Sequence, residues 1–218
     1  MTGFDDARKT WDARFTKGGG ALFGTAPNRW LEAQAGRLGA GARVLCVADG
    51  EGRNGVWLAE RGCRVRSFDV SPVGVEHARG AARVRGVELD ALVSGAGDWS
   101  WEPDAFDAVA AIFVQFAPPD LRARIFDGIA RTLVPGGLLI IEGYGPRQLE
   151  FRTGGPGIAE HLYTQALLLG AFDGWDVLAS RDTDLTLAEG SAHAGRSHVI
   201  SMVLRKPRGA AVMPPAPR

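Results

Sequence analysis

The feature that most limits the fold is the run from Val44 to Gly55, VLCVADGEGRNG, an apolar stretch that ends in an acidic glycine turn and continues into helical periodicity. A strand that feeds a helix through glycines lets the backbone approach a ligand closely. It also presents the unpaired N–H groups of the helix N-terminus to that ligand. Gly50, Gly52 and Gly55 satisfy G-x-G-x-x-G, which alone is a weak signal of nucleotide binding. The second acidic signal, Asp69, lies 19 residues after Gly50, at the end of the next apolar run. A carboxylate there accepts hydrogen bonds from both hydroxyls of a ribose. Glycine makes up 30 of the 218 residues, about twice the usual share of roughly 7%, and much of it is clustered in such turns.

From Arg43 onward, strand and helix patterns alternate. VLCVA, RVRSFDV, LDALVSG, DAVAAIFV and GGLLIIEGY read as five strands. Between them, helices are expected over Arg53–Arg61, from Ser71-Pro72, and over Pro118–Leu133. Apolar strands separated by helices of that length indicate a parallel sheet covered on both faces. Two amphipathic helices precede the first strand, one over Asp5–Phe15 and one starting at Pro27 and stopping at Gly39. After a helix expected around Ile158–Gly170, WDVLASRDTDLTL and SHVISMVLRKP follow without a helix between them and should pair as an antiparallel edge. The expected architecture is a Rossmann-like, doubly wound α/β fold with a mostly parallel seven-stranded sheet. Residues 1–206 form one domain, with 1–40 as a helical lid, and 207–218 form a disordered Pro-rich tail.

Composition narrows the partners. The 25 Lys and Arg balance 25 Asp and Glu, which argues against nucleic acid as the main partner. Cys46 and Cys63, the only cysteines, allow neither a disulfide framework nor a zinc cluster, and usage of this kind fits the cytoplasm. His77, His193 and His198 show no metal-ligand spacing, so no metal site is expected. No apolar window reaches the length of a membrane span, and the expected partner is a small molecule, with the chain a monomer or homodimer.

Three features separate S-adenosylmethionine from a nicotinamide dinucleotide as the ligand of the glycine turn. Asp49 stands where a pyrophosphate would meet like charge and where an ammonium or sulfonium would be favoured. Gly97-Asp98-Trp99 follows the third strand and offers an acceptor and an aromatic neighbour to an adenine ring. The closing antiparallel pair is unusual for the dinucleotide fold.

Four segments carry a family resemblance: WDARFTKGGGALFGTAPNRWL, VLCVADGEGRNGVWLAERG, AIFVQFAPPDLRARIF and LVPGGLLIIEGYGPRQLEFRTGGP. With them, residues 11–206 resemble class I S-adenosylmethionine-dependent methyltransferases, most of all the branch of tellurite-resistance and thiopurine-type enzymes. The resemblance implies that Asp49, Gly50, Gly52 and Asn54 surround the methionine part of the cofactor. It implies that Asp69 binds the ribose, Val70 packs on the adenine, and Gly97, Asp98 and Trp99 frame its edge. Ile112 and Phe113 would border the methyl group, and Trp11, Phe23 and Gly24 would belong to the closing lid. Similar chains have His where Gln115 stands, so a base role at that position has no support here.

Methyl transfer from a sulfonium is an in-line displacement that needs a positioned nucleophile and exclusion of water. A thiol or a chalcogen oxyanion such as tellurite or selenite would need no base. An alcohol or phenol would, and Glu142, Tyr144 and His161 are the candidates. Gln115, Tyr144, Arg147 and Gln148 are the expected substrate contacts, with Gln115, Tyr144 and Glu142 as the catalytic set. Two other classes remain open: an NAD-dependent oxidoreductase using the same turn, and a non-catalytic cofactor-binding regulator.

Overall fold

The computed structural model describes residues 3–19 and 21–208. Its seven-stranded sheet has the order β3-β2-β1-β4-β5-β7-β6. β1 (Arg43–Val47), β2 (Arg64–Asp69), β3 (Asp90–Val93), β4 (Phe106–Ile112) and β5 (Leu133–Tyr144) are parallel. β7 (His193–Arg205) is antiparallel to both β5 and β6 (Asp176–Glu189), as expected for the closing pair. The chain order reverses between β1 and β4, and in an open sheet of this kind the crevice outside the carboxyl ends of those two strands is where ligands bind.

Both faces of the sheet are covered. Leu45, Val109, Leu139 and Met202 point into one apolar core, under α5 (Pro119–Thr132) and α7 (Gln165–Ala171). Val44, Cys46, Ala108 and Ile140 point into the other, with α2 (Arg29–Gln34) and α3 (Arg53–Glu60). Alternate residues of each central strand thus serve opposite faces, and both faces are apolar. On the other helices, α4 (Pro72–Arg85) starts at Ser71, whose Oγ caps Gly74 N at 3.1 Å. The N-terminal helix α1 (Gly3–Gly18) is tied to that start, because Asp12 Oδ1 accepts from Ser71 Oγ and, at 3.3 Å, from Val73 N.

Three expected boundaries shift. The second helix begins at Arg29, not Pro27, since Asn28 is its cap: Asn28 Oδ1 accepts from Leu31 N at 3.0 Å. It also ends early, in a 3₁₀ turn over Ala35–Arg37. The helix expected around Ile158–Gly170 is split into a 3₁₀ turn (Ala159–His161) and α7, which Thr164 caps anew. The short α6 (Gln148–Phe151) has no counterpart in the expected element order. Of the expected tail, residues 209–218 lie outside the described residues.

Candidate functional site

A cavity of about 730 Å³ opens at the carboxyl ends of β1 and β4, where the chain order reverses. Both strands leave it through residues in the left-handed region, Ala48 (φ 49°) and Phe113 (φ 55°). Side chains rarely adopt that conformation, and such strain gathers where a ligand site dictates the backbone path.

One end of the cavity is acidic. Asp69 is 7% exposed, and its two carboxylate oxygens accept from Gly50 N at 3.0 Å and Ser71 N at 2.9 Å. It thereby pins the glycine turn to the end of β2. Asp49 accepts from Gly55 N at 3.0 Å. Burial pushes Asp49 up to about 7 and Asp69 up to about 6, against the backbone hydrogen bonds that favour their charged forms. A cation beside them would be stabilised, and a pyrophosphate would meet two carboxyls, Asp69 buried and Asp49 half-buried. Gly50, Asn54, Val70, Gly97 and Asp98 line the same end.

The other end is aromatic. Phe113 at the end of β4 packs against Tyr144 at the end of β5 (centroids 4.7 Å apart) and against His193 at the start of β7 (4.3 Å). Phe23, from the segment between α1 and α2, closes on His193 at 4.5 Å and continues to Trp11 and Phe15 of α1. The expected lid residues Trp11 and Phe23 therefore do line the cavity, together with Ile112, Phe113, Gln115 and Tyr144.

That roof is fastened to the β6–β7 turn. Leu22 N donates to Glu51 Oε2 at 2.7 Å, and Leu22 O accepts from Ala192 N at 3.2 Å. Gly190 (φ 72°) faces Gly24 so closely that a Cβ on it would overlap the backbone of Gly24 and lie 2.6 Å from Leu22 O. Gly24 thus sits behind the cavity wall rather than in it. Gly190→Ala should cost about 1–3 kcal/mol and lower Tm by roughly 2–10 °C. An unchanged melting temperature would show that this contact is not part of the folded state.

Beneath the roof lies a buried polar network. Asn28, fully buried, donates from Nδ2 to Glu142 Oε1 at 2.7 Å and to Glu189 Oε1 at 3.1 Å, and its backbone N donates to Asn54 Oδ1 at 2.9 Å. Glu189 is paired with Arg53 at 2.6 Å, and Glu142 with Arg181 at 2.6 Å. Each buried carboxylate thus has a cation and a neutral donor, as burial of charge requires.

This network corrects the role expected for Glu142. Glu142 and Tyr144 are two residues apart and share a face of β5, but only Tyr144 reaches the cavity. Glu142 lies one pleat deeper, held by Asn28, Arg181 and Ser201. Gln115 lines the cavity, yet its amide is fully engaged: Nε2 donates to Tyr144 O (2.8 Å) and His161 O (3.1 Å), and Oε1 accepts from Tyr144 N. It positions the end of β5. Arg147 lies outside the cavity on Asp184 (2.8 Å), and Gln148 holds Thr153, Gly154 and His198 N. Trp99 stacks at 4.3 Å on Phe68, which lines the cavity, and itself packs half-buried against the core behind the cavity wall. Gly52 (φ 80°) is placed instead for packing of α3 on α4, since a Cβ there would lie 2.6 Å from Ala78 Cβ. His161 is likewise absent from the cavity wall.

Sequence reasoning missed His193, Phe15 and Arg53 as cavity residues. His193 is only 8% exposed, and burial, with Arg53 and Arg14 nearby, holds its imidazole down to about 3, so it is neutral. Burial, with Glu189 and Glu142 nearby, raises the Tyr144 phenol well above its ordinary range. Tyr144 Oη and His193 Nδ1 are buried with no hydrogen-bond partner among the described residues.

A crevice of this geometry is shared by many chemistries, so sequence similarity has to decide between them. Residues 44–137 match the methyltransferase domain family. The match spans the glycine turn, Asp69 and the switch point. An uncharacterised protein of Mycobacterium tuberculosis strain H37Rv is 34% identical over 125 residues, 55% of this chain and 44% of that protein. The chain thus spans less than half the length of the curated relatives it matches. Among solved structures, one described by the conversion of a disulfide bond into a thioacetal group during echinomycin biosynthesis is similar across 94% of this chain and 93% of its own, with TM-score 0.74 and 19% identity. The N-methyltransferase NodS of Bradyrhizobium japonicum, solved with S-adenosyl-L-homocysteine, is similar across 93% and 100%, with TM-score 0.68 and 13% identity. The fold is the Rossmann-like fold of these solved structures. No helix among the described residues is long and apolar enough to cross a membrane.

Proposed function

We propose that the protein is an S-adenosylmethionine-dependent methyltransferase acting on a small molecule. The observation that carries this reading is a single cavity with two acids at one end, Asp69 buried and Asp49 half-buried, and an aromatic, roofed chamber at the other. The acidic end suits a ligand with a ribose and a positively charged amino-acid tail. Asp69 would hold the ribose, and Asp49 would face the ammonium. When bound, the cofactor supplies an electrophilic methyl group on a sulfonium. The chain's own part is to orient the acceptor and exclude water, which the roof of Trp11, Phe15 and Phe23 does. A volume of about 730 Å³ lies within the range of small-molecule sites.

The thiol or chalcogen-oxyanion acceptor implied by the resemblance has less support at the aromatic end. Arg53, the buried cation of the cavity, is already paired with Glu189 at 2.6 Å. The test has two stages. Calorimetric titration should give micromolar binding of S-adenosylhomocysteine and none of NAD; the reverse would overturn the reading in favour of an oxidoreductase. Transfer from labelled S-adenosylmethionine to a panel of phenols, amines, thiols, selenite and tellurite should then give at least one methylated product. Tight binding without turnover on such a panel would instead indicate a regulatory binding protein.

A further inference from the structure

We infer that Arg14 recognises an anionic group on the acceptor, which is then a small carboxylic acid with its carboxylate at the cavity mouth and its apolar body inside. This rests on the methyltransferase reading and adds the class of acceptor to it. The observation is a cation on the inward stripe of a helix. Along α1, Ala7, Trp11, Arg14 and Phe15 line the cavity, at i, i+4, i+7 and i+8, and all but Arg14 are apolar. The Arg14 guanidinium lies over the Trp11 ring, 4.4 Å from its centroid. Such stacking holds the head group against the wall and leaves its in-plane N–H groups available. Among the described residues, Arg14 has neither a carboxylate nor a hydrogen-bond partner. The nearby charges of α1 are turned elsewhere, Arg8 to Asp12 at 3.8 Å and Asp12 to Ser71.

The other two cations of the cavity wall serve different ends. Arg53 is closed off by Glu189 at 2.6 Å. Arg124 stands three residues along α5 from Leu121, which packs on Gly97, and so belongs to the acidic end. Arg14 stands at the aromatic end, because the Trp11 ring beneath it lies 6.1 Å from Phe23, and Phe23 lies 4.5 Å from His193. Its charge reaches that chamber: together with burial and Arg53, it keeps His193 unprotonated. The inner wall sets the orientation. Burial, with Glu189 and Glu142 behind it, keeps the proton on Tyr144, and the same charges repel an anion there. The acceptor's carboxylate therefore turns outward to Arg14, and its nucleophilic atom turns inward. The planar fork of a guanidinium matches the two oxygens of a carboxylate and balances its one charge. A doubly charged phosphate would leave a charge unbalanced in a cavity that already holds Asp49 and Asp69.

The test uses the full chain saturated with S-adenosylhomocysteine and the probes benzoate, phenylacetate and 3-phenylpropanoate, each set against its own neutral amide. Calorimetry should find at least one carboxylate that binds about fivefold or more tightly than its amide. Arg14 is exposed, so Arg14→Gln should fold, and it should weaken that carboxylate about five- to twentyfold while leaving the amide unchanged. Arg14→Lys keeps the charge and should retain part of the preference. Affinity for S-adenosylhomocysteine should be the same in both variants. The absence of any carboxylate preference in the unaltered chain, or of any binding, would overturn the inference, and so would a preference that survives in Arg14→Gln. Weaker S-adenosylhomocysteine binding in Arg14→Gln would overturn it too, by assigning Arg14 to the cofactor. Failure of the unaltered chain to bind S-adenosylhomocysteine would instead count against the methyltransferase reading. Should Arg14→Gln misfold, Arg14→Lys and the comparison of acids with amides on the unaltered chain still decide.

Discussion

Asp69→Ala is expected to weaken binding of S-adenosylhomocysteine by about 10- to 150-fold. The carboxylate would receive both ribose hydroxyls, and a charged hydrogen-bond pair of that kind contributes about 1.5–3 kcal/mol. A second effect acts in the same direction. Asp69 also receives Gly50 N and Ser71 N, so its loss frees the glycine turn from the end of β2 and costs preorganisation. Asp69→Asn separates the two, because it retains one acceptor oxygen without the charge and should fall between the parent and the Ala variant. Calorimetry measures both, with thermal melts to confirm the fold. An unchanged dissociation constant in Asp69→Ala would remove this residue from the cofactor site.

The affinity for S-adenosylhomocysteine should also depend on pH, falling by roughly 20-fold between pH 7.5 and pH 5.5. The sign follows from the two acids. In the ligand-free chain Asp49 titrates near 7 and Asp69 near 6, both raised by burial. A ligand that brings an ammonium to Asp49 prefers its charged form, so binding releases a proton wherever Asp49 is protonated beforehand. Affinity therefore rises with pH through this window and levels off above about 8. Titrations in two buffers of different ionisation enthalpy would report the released proton directly at pH 6. No proton release, or an affinity that rises on acidification, would show that Asp49 does not face the ammonium.

The sheet could be read from the chain because its information is local. Apolar runs such as VLCVA, ended by glycine or Ser-Pro, announce strands and helices that need no distant partner to be recognised. The acidic end of the cavity was legible for the same reason: Asp49 and Gly50 follow β1, Asn54 opens α3 and Asp69 ends β2, and the neighbours of these positions in space are set by the topology. The aromatic end was not. His193 lies in SAHAGRSH, with no spacing that marks a site, and it reaches the cavity only because β6 and β7 are 14 and 13 residues long and carry their shared turn over the switch point. Glu142 misled for a related reason. Its place two residues from Tyr144 fixes the face but not the depth, and the depth depends on Asn28, 114 positions away.

The roof joint has a consequence for how this chain can be altered. Residues 21–28 and the turn at 189–193 meet through two backbones at Gly24 and Gly190, and share Asn28 with Glu189 beneath. Each half is shaped to the other, though more than 160 residues separate them in the chain. Moving only the N-terminal loop into a related scaffold would bring half of a joint, with a glycine seated against a side chain. The two segments should therefore behave as one heritable part, exchanged together or not at all, and a change of acceptor by recombination should succeed only when both crossovers are made.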